Sequence, residues 1–188
     1  MWRVLPFVAG LIGLMLATPA SAAPSRAGNP SVSYHFVEFR ARDGVSGHTY
    51  VVYGTADRRG RILKARAAGF FPYGALSESA LTVFLPFPGH VGLQAADRRD
   101  PPTAIYRVYI DADRYARLVA TVNRFREAEH GWHLLFFNCN AFVARIARSI
   151  GLQASSSIQI PNDFVRYLYL LNRPRHARLA RVDHGLKR

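Results

Sequence analysis

Trp132-His-Leu-Leu-Phe-Phe-Asn-Cys-Asn-Ala-Phe-Val-Ala-Arg-Ile-Ala-Arg-Ser-Ile-Gly151 contains the chain's one cysteine. Its reading decides the fold. Leu134 to Phe137 is extended or turn-like, and from Cys139 onward Phe142, Val143, Ile146, Ala147 and Ile150 recur at helical spacing, with Gly151 at the stop position. The spacing predicts a helix that opens at the thiol. At a helix start the unbonded N–H groups and the macrodipole favour negative charge, and thiolates so placed reach pKa values of about 3.5–7.5 instead of about 8.5. Cysteine is also among the most buried residue types, and Cys139 lies on the helix's apolar face. An inert core thiol is therefore the competing reading. Asn138 suits an N-cap.

Upstream of this helix the pattern is that of strands. Val32, Tyr34 and Phe36 alternate with His35, Val37 and Phe39. Asp43-Gly44 and Gly47 turn the chain into a second strand, His48 to Gly54, and Asp57-Arg-Arg-Gly60 leads into a third, Ile62 to Phe71. These three read as consecutive antiparallel strands. Residues 72–102, with Pro86, Pro88, Gly89, Pro101 and Pro102, read as a long irregular connection in which Leu81 to Leu85 suits a short strand. Alternation resumes over Thr103 to Ile110, and Asp111 or Asp113 caps a helix to about Glu129. A last helix runs from Phe164 to about Asn172. Strands first and helices last argue for an α+β fold, an antiparallel sheet followed by helices.

A cysteine nucleophile needs a base, and usually a third group to orient that base. Of the seven histidines, His48 opens a strand after a glycine, where its ring sits at a sheet edge. His133 is its local rival, six residues before Cys139. His90 suits a loop residue or an orienting group, His35 is mid-strand and His130 marks a helix end. No metal is expected: the chain has one cysteine, scattered histidines and neither His-Glu-x-x-His nor Cys-x-x-Cys spacing. No phosphate-binding glycine loop is present, so no cofactor is expected either.

Arg3, the apolar stretch Leu5 to Ala17 and Ala20-Ser21-Ala22 have the form of a signal peptide over residues 1–22, which implies a periplasmic or secreted protein. Residues 23–31 read as a flexible leader, 32–172 as one domain and 173–188 as a basic tail with six Arg or Lys residues. The net charge of +13 comes from 25 basic residues, 23 of them arginine and spread along the chain. No zinc-finger, RNA-recognition or helix-turn-helix pattern accompanies the charge, which argues against nucleic acid. Anionic lipid, lipopolysaccharide or acidic glycan is the better electrostatic partner for an exported protein; the tail reads first as a solvated basic run, the alternative being an anchor for anionic lipid.

Gly47-His48-Thr-Tyr-Val-Val-Tyr-Gly54, followed much later by Leu134-Leu-Phe-Phe-Asn-Cys-Asn-Ala-Phe-Val143, resembles a circularly permuted papain-like domain. That branch holds the permuted NlpC-type peptidases and the lecithin:retinol acyltransferase group. The chain resembles more nearly the periplasmic thiol domain of lipoprotein N-acyltransferase-like bacterial proteins. The resemblance implies Cys139 as nucleophile, His48 as base, and an oxyanion site made by the Cys139 N–H with a neighbouring polar side chain, Asn138 or Asn140. It implies an exported thiol hydrolase or acyltransferase whose cell-envelope substrate is an acyl lipid, a lipoprotein or a peptidoglycan peptide. One departure stands out. The family's polar third residue on the strand after the histidine has no counterpart in Ile62 to Ala68, which leaves His90 or another distant group to orient the base. The alternative is a non-catalytic envelope-binding protein on the same fold, holding anionic lipid or glycan.

Overall fold

The computed structural model describes residues 33–44, 47–73 and 84–176, with side chains to 173. Ten elements follow in order: β1 (Tyr34–Arg42), β2 (His48–Ala56), β3 (Ile62–Pro72), β4 (Phe87–Gly92), α1 (Ala95–Arg99), β5 (Ala104–Ile110), α2 (Ala112–Glu127), β6 (His130–Trp132), α3 (Cys139–Ser149) and α4 (Pro161–His176). The expected signal peptide, leader and most of the basic tail lie outside the described residues, as do the side chain of His176, all of His184 and most of Leu81 to Leu85. The described part of that last segment, Phe84 and Leu85, is a turn. Among the described residues no helix is long and apolar enough to cross a membrane.

The fold is α+β, with one antiparallel six-stranded sheet in the order β5-β1-β2-β3-β4-β6. The period-two alternation gives the sheet two different faces. Val37, Phe39, Val51, Tyr53, Phe70, Tyr106 and Val108 point to one side and build the main core with Leu118 and Val122 of α2, Phe142 and Ile146 of α3, and Phe164 and Leu168 of α4. Phe36, Tyr50, Val52 and Ala56 form a smaller cluster on the other side. Glu38 is buried on that side too, and accepts hydrogen bonds from Arg40 Nε at 2.7 Å and Arg107 Nε at 2.6 Å.

Residues 72–102 depart from the irregular connection expected of them. β4 pairs with β3 from Gly69↔Gly92 to Pro72↔Gly89, and α1 follows. Pro88 lies just past the last β3–β4 pair, so its missing N–H costs no bond within that ladder, while its carbonyl still accepts from Tyr73 N at 2.9 Å. His130-Gly131, read as a helix end, instead begins the short edge strand β6 against β4. The helices are therefore interleaved with the last strands and do not simply follow them.

Three features fix the two ends of α3 and the connection that follows it. Asn138 caps α3, its side-chain oxygen accepting from Ala141 N at 3.1 Å, and Gly151 ends the helix at φ +83°, a conformation that disfavours a side chain. The connection to α4 is pinned by the buried Asn172, which accepts from Gln153 N at 2.9 Å and donates to Gln153 O at 2.8 Å.

Removing the Glu38 carboxylate takes the buried counter-charge from two largely buried guanidinium groups on the sheet's second face. Glu38→Ala is expected to lower unfolding free energy by about 3 kcal/mol, the usual penalty for breaking a buried ion pair from one side. Urea denaturation would measure it. A change below about 0.5 kcal/mol, the range of an ordinary surface substitution, would contradict the buried-pair account.

Candidate functional site

Cys139 is the first residue of α3, and α3 packs on β2 and β3 so that its start meets the start of β2. Cys139 is partly buried as a residue, and its thiol carries a burial penalty. Burial pushes the thiol up, but a hydrogen bond and charge from His48, with bonds from the Thr49 side chain and backbone, outweigh it and bring the pKa from 9.0 down to about 7. The sequence-predicted pair, Cys139 and His48, is thus brought together from residues 91 positions apart in the chain.

The other side of the imidazole holds the group that the sequence reading missed. His48 is 3 % exposed, and its Nε2 lies 3.7 Å from Asp97 Oδ2. No hydrogen bond is made at Nε2 itself, so Nδ1 is the nitrogen left for the thiol. Asp97 belongs to α1, not to the strand after His48. It is held by Arg42 Nε at 3.2 Å and by the Gln94 N–H at 3.0 Å, while Arg42 also donates to Gln94 Oε1 at 2.8 Å. Arg42 sits across from His48 in the β1–β2 register, so one strand pair places both the imidazole and the cation that anchors the neighbouring carboxylate.

β3 contributes space instead of a polar group. Gly69 lies opposite Tyr50, and a methyl group built on it would collide with His48 Nε2. Phe71, two residues on, presents its ring edgewise to the imidazole, with centroids 5.9 Å apart. The carboxylate reaches the ring past this gap.

The remaining candidates have other tasks. His90 packs against Phe71 and Tyr73, ring centroids 3.9 and 4.0 Å away, and burial lowers its pKa. None of the described contacts joins it to His48. His133 accepts from Leu135 N at 3.2 Å and pairs through its backbone with Phe137, closing the loop before α3. His35 stacks on Tyr115, and His130 joins the rings of Phe70, Phe125 and Phe137.

Asn138 and Asn140 are buried tethers. Asn138 Nδ2 donates to Leu134 O at 2.6 Å and Ser157 O at 3.2 Å. Asn140 Nδ2 donates to Ser157 O at 3.1 Å and Gln159 O at 2.7 Å, and its oxygen accepts from Thr49 Oγ1 at 2.9 Å. Their amide donors are already engaged by backbone carbonyls, which leaves the Cys139 N–H, without an intrahelical acceptor, as the free donor beside the sulfur. Exposed Leu134 and Phe136 precede the thiol, and exposed Ile158 and Ile160 lie on the loop that the two asparagines hold. Among the described residues, no three His, Cys, Asp or Glu side chains converge as a metal site.

Thr49 was legible only as the residue after His48. Asp97 was hidden in Asp97-Arg98-Arg99-Asp100, which reads as a solvated charge run. No protein-family model, curated protein or solved structure matches the chain.

Alkylation of Cys139 by iodoacetamide is expected to rise with pH through about 7. At pH 6 it should run about five- to tenfold faster than a free thiol, a roughly 30-fold gain in thiolate being partly offset by weaker intrinsic nucleophilicity. His48→Ala should move the inflection upward, and Gly69→Ala should do the same by displacing the ring. Stopped-flow alkylation profiles would show it. A profile centred near 8.5 that neither substitution alters would remove the His48 contact from the account.

Proposed function

We propose that this chain is an exported, thiol-dependent hydrolase or acyltransferase, built on a circularly permuted papain-like domain and acting on an amide or ester of the cell envelope. The observation that carries the reading is one buried imidazole set between the Cys139 thiol and the Asp97 carboxylate. The signal-like residues 1–22 support the compartment. Asp97 supplies the third group whose apparent absence favoured a non-catalytic binding protein.

In this reading His48 takes the Cys139 proton and Asp97 stabilises the positive charge that the ring acquires. The thiolate adds to the carbonyl carbon, and the oxyanion accepts from the Cys139 N–H at the helix start. As the tetrahedral species collapses, the carbon–nitrogen or carbon–oxygen bond breaks and His48 returns its proton to the departing amine or alcohol. The acyl group is left as a thioester on Cys139. His48 then deprotonates water or an acceptor amine, which attacks the thioester and releases an acid or a new amide with the thiol restored. Thr49 steadies the thiolate between steps through its backbone N–H, its hydroxyl proton being held by Asn140 Oδ1.

p-Nitrophenyl acetate serves as a generic acyl donor. A burst of about one p-nitrophenolate per chain is expected, with acetyl located on Cys139 by peptide mass spectrometry. Cys139→Ala should abolish the burst. Asp97→Asn, which keeps an acceptor for Arg42, should slow acylation at least about tenfold, or about 1.4 kcal/mol of transition-state stabilisation, and change its pH profile. Acetylation that persists in Cys139→Ala, or an Asp97→Asn protein indistinguishable from the parent, would overturn the assignment.

For the compartment, tagged protein in its native host is expected to lose about 22 residues and fractionate with the periplasm or medium. Intact mass analysis showing full-length protein in the cytoplasm would contradict export.

A further inference from the structure

A second cleft lies at the far end of α3 from the thiol. It opens between the closing turns of α2 and α3, holds about 890 Å3, and is walled by Arg124, Phe125, His130, Arg145 and Arg148. Arg148 is nine residues along the helix from Cys139, about 13 Å at 1.5 Å per residue, so this is not the nucleophile's pocket. None of the three guanidinium groups is paired with a carboxylate among the described residues, although Glu127 also lines the cleft. Each is held by a neutral partner instead. Arg124 Nη2 donates to Thr121 Oγ1 at 3.4 Å and Arg148 Nη2 to Ala154 O at 3.1 Å. Arg145 lies over the rings of Phe137, 5.2 Å from its centroid, and Phe125, at 6.0 Å.

All three arginines are exposed, and these neutral partners engage their side chains without cancelling the charge. A guanidinium held by a ring face still has its N–H edge free, and that edge matches two oxygens of an oxyanion. Arg124 and Arg148 stand in last helical turns, where the macrodipole favours a cation; Arg145 is one turn earlier and has the rings instead. A carboxylate can satisfy one such fork, whereas a phosphate has oxygens enough for three donors at once. The cleft is wide and open to solvent, with room for more than a lone phosphate, and Phe125 and His130 give it a partly apolar wall.

We infer that this cleft binds a phosphate group carried on a larger body, gripped by Arg124, Arg145 and Arg148. The phosphate belongs either to a soluble phosphorylated compound or to a phospholipid headgroup. The inference stands apart from the thiol chemistry and does not need it.

The test uses the full chain with two probes, pyrophosphate by calorimetry and phosphatidylglycerol vesicles by co-sedimentation. Arg124→Gln, Arg145→Gln and Arg148→Gln are combined in one variant, and Arg58→Gln, Arg59→Gln and Lys64→Gln in a control that removes equal charge elsewhere. The cleft variant is expected to lose at least tenfold in affinity and the control less than twofold. Loss confined to pyrophosphate marks a soluble ligand, and loss confined to vesicles marks a headgroup; either supports the site. The Arg124→Gln/Arg148→Gln double variant leaves the ring-packed Arg145 in place and keeps the test valid if the triple variant unfolds; there a threefold or greater loss is expected. Equal losses in cleft and control variants, or no saturable binding of either probe, would show that only bulk charge is at work and overturn the inference.

Discussion

The arrangement depends on a buried imidazole facing acidic groups on both sides. A ring this deep in the protein acquires positive charge only where neighbours replace the water it has lost. Cys139 and Asp97 are those neighbours, and much of the local structure serves to hold them there. Arg42 and the Gln94 N–H fix the carboxylate, Gly69 leaves room for the ring, and the Asn138 cap fixes the helix start that presents the sulfur. The carboxylate therefore meets two partners, Arg42 on one oxygen and the imidazole on the other.

The same need explains why the third group does not come from β3. An acid on the neighbouring strand at position 69 would occupy the space that the ring fills. At position 71 the strand presents a phenylalanine edge that helps keep water from the imidazole. With that route closed, the carboxylate arrives from α1, a five-residue helix whose own backbone N–H at Gln94 binds it. So short a helix has little stability alone. Its attachment to β1 through Arg42 makes Asp97 a fixed group, and the ion pair that holds the helix down also sets the carboxylate beside the His48 ring.

How much of this was legible in the sequence depends on the range over which each feature is determined. β1 to β3 follow from alternation, α2 from the Asp111 cap, and α3 from its apolar spacing between Asn138 and Gly151, all of them local signals. His48 and Cys139 stood out because each opens an element. β4 was obscured because Pro86, Pro88 and Gly89 break up a strand signal, and its pairing is settled by neighbours on both sides. Asp97 was obscured because two arginines and an aspartate follow it, a pattern of exposed charge, while its burial is decided by Arg42, 55 residues earlier. Asn138 and Asn140 could be picked out as polar groups beside the thiol, but which carbonyls they bond depends on a loop 17 to 19 residues later.

Those two asparagines bear on how the thiol reacts. An amide free to turn could meet a developing oxyanion, but these are bound to the backbone of residues 157 and 159 and to Thr49, so they stiffen the surroundings of Cys139 instead. Stiffness matters because the thiol's pKa near 7 is a balance: burial pushes it up, while His48 and Thr49 pull it down by more. A rotation that opened the site to water would relax the burial penalty and weaken the hydrogen bonds together. Holding both in place keeps the sulfur at the point where a useful fraction is thiolate at neutral pH without the loss of nucleophilicity that a much more acidic thiol suffers. The tethers therefore act on the chemistry through position, although neither side chain has a donor left for the reacting carbonyl.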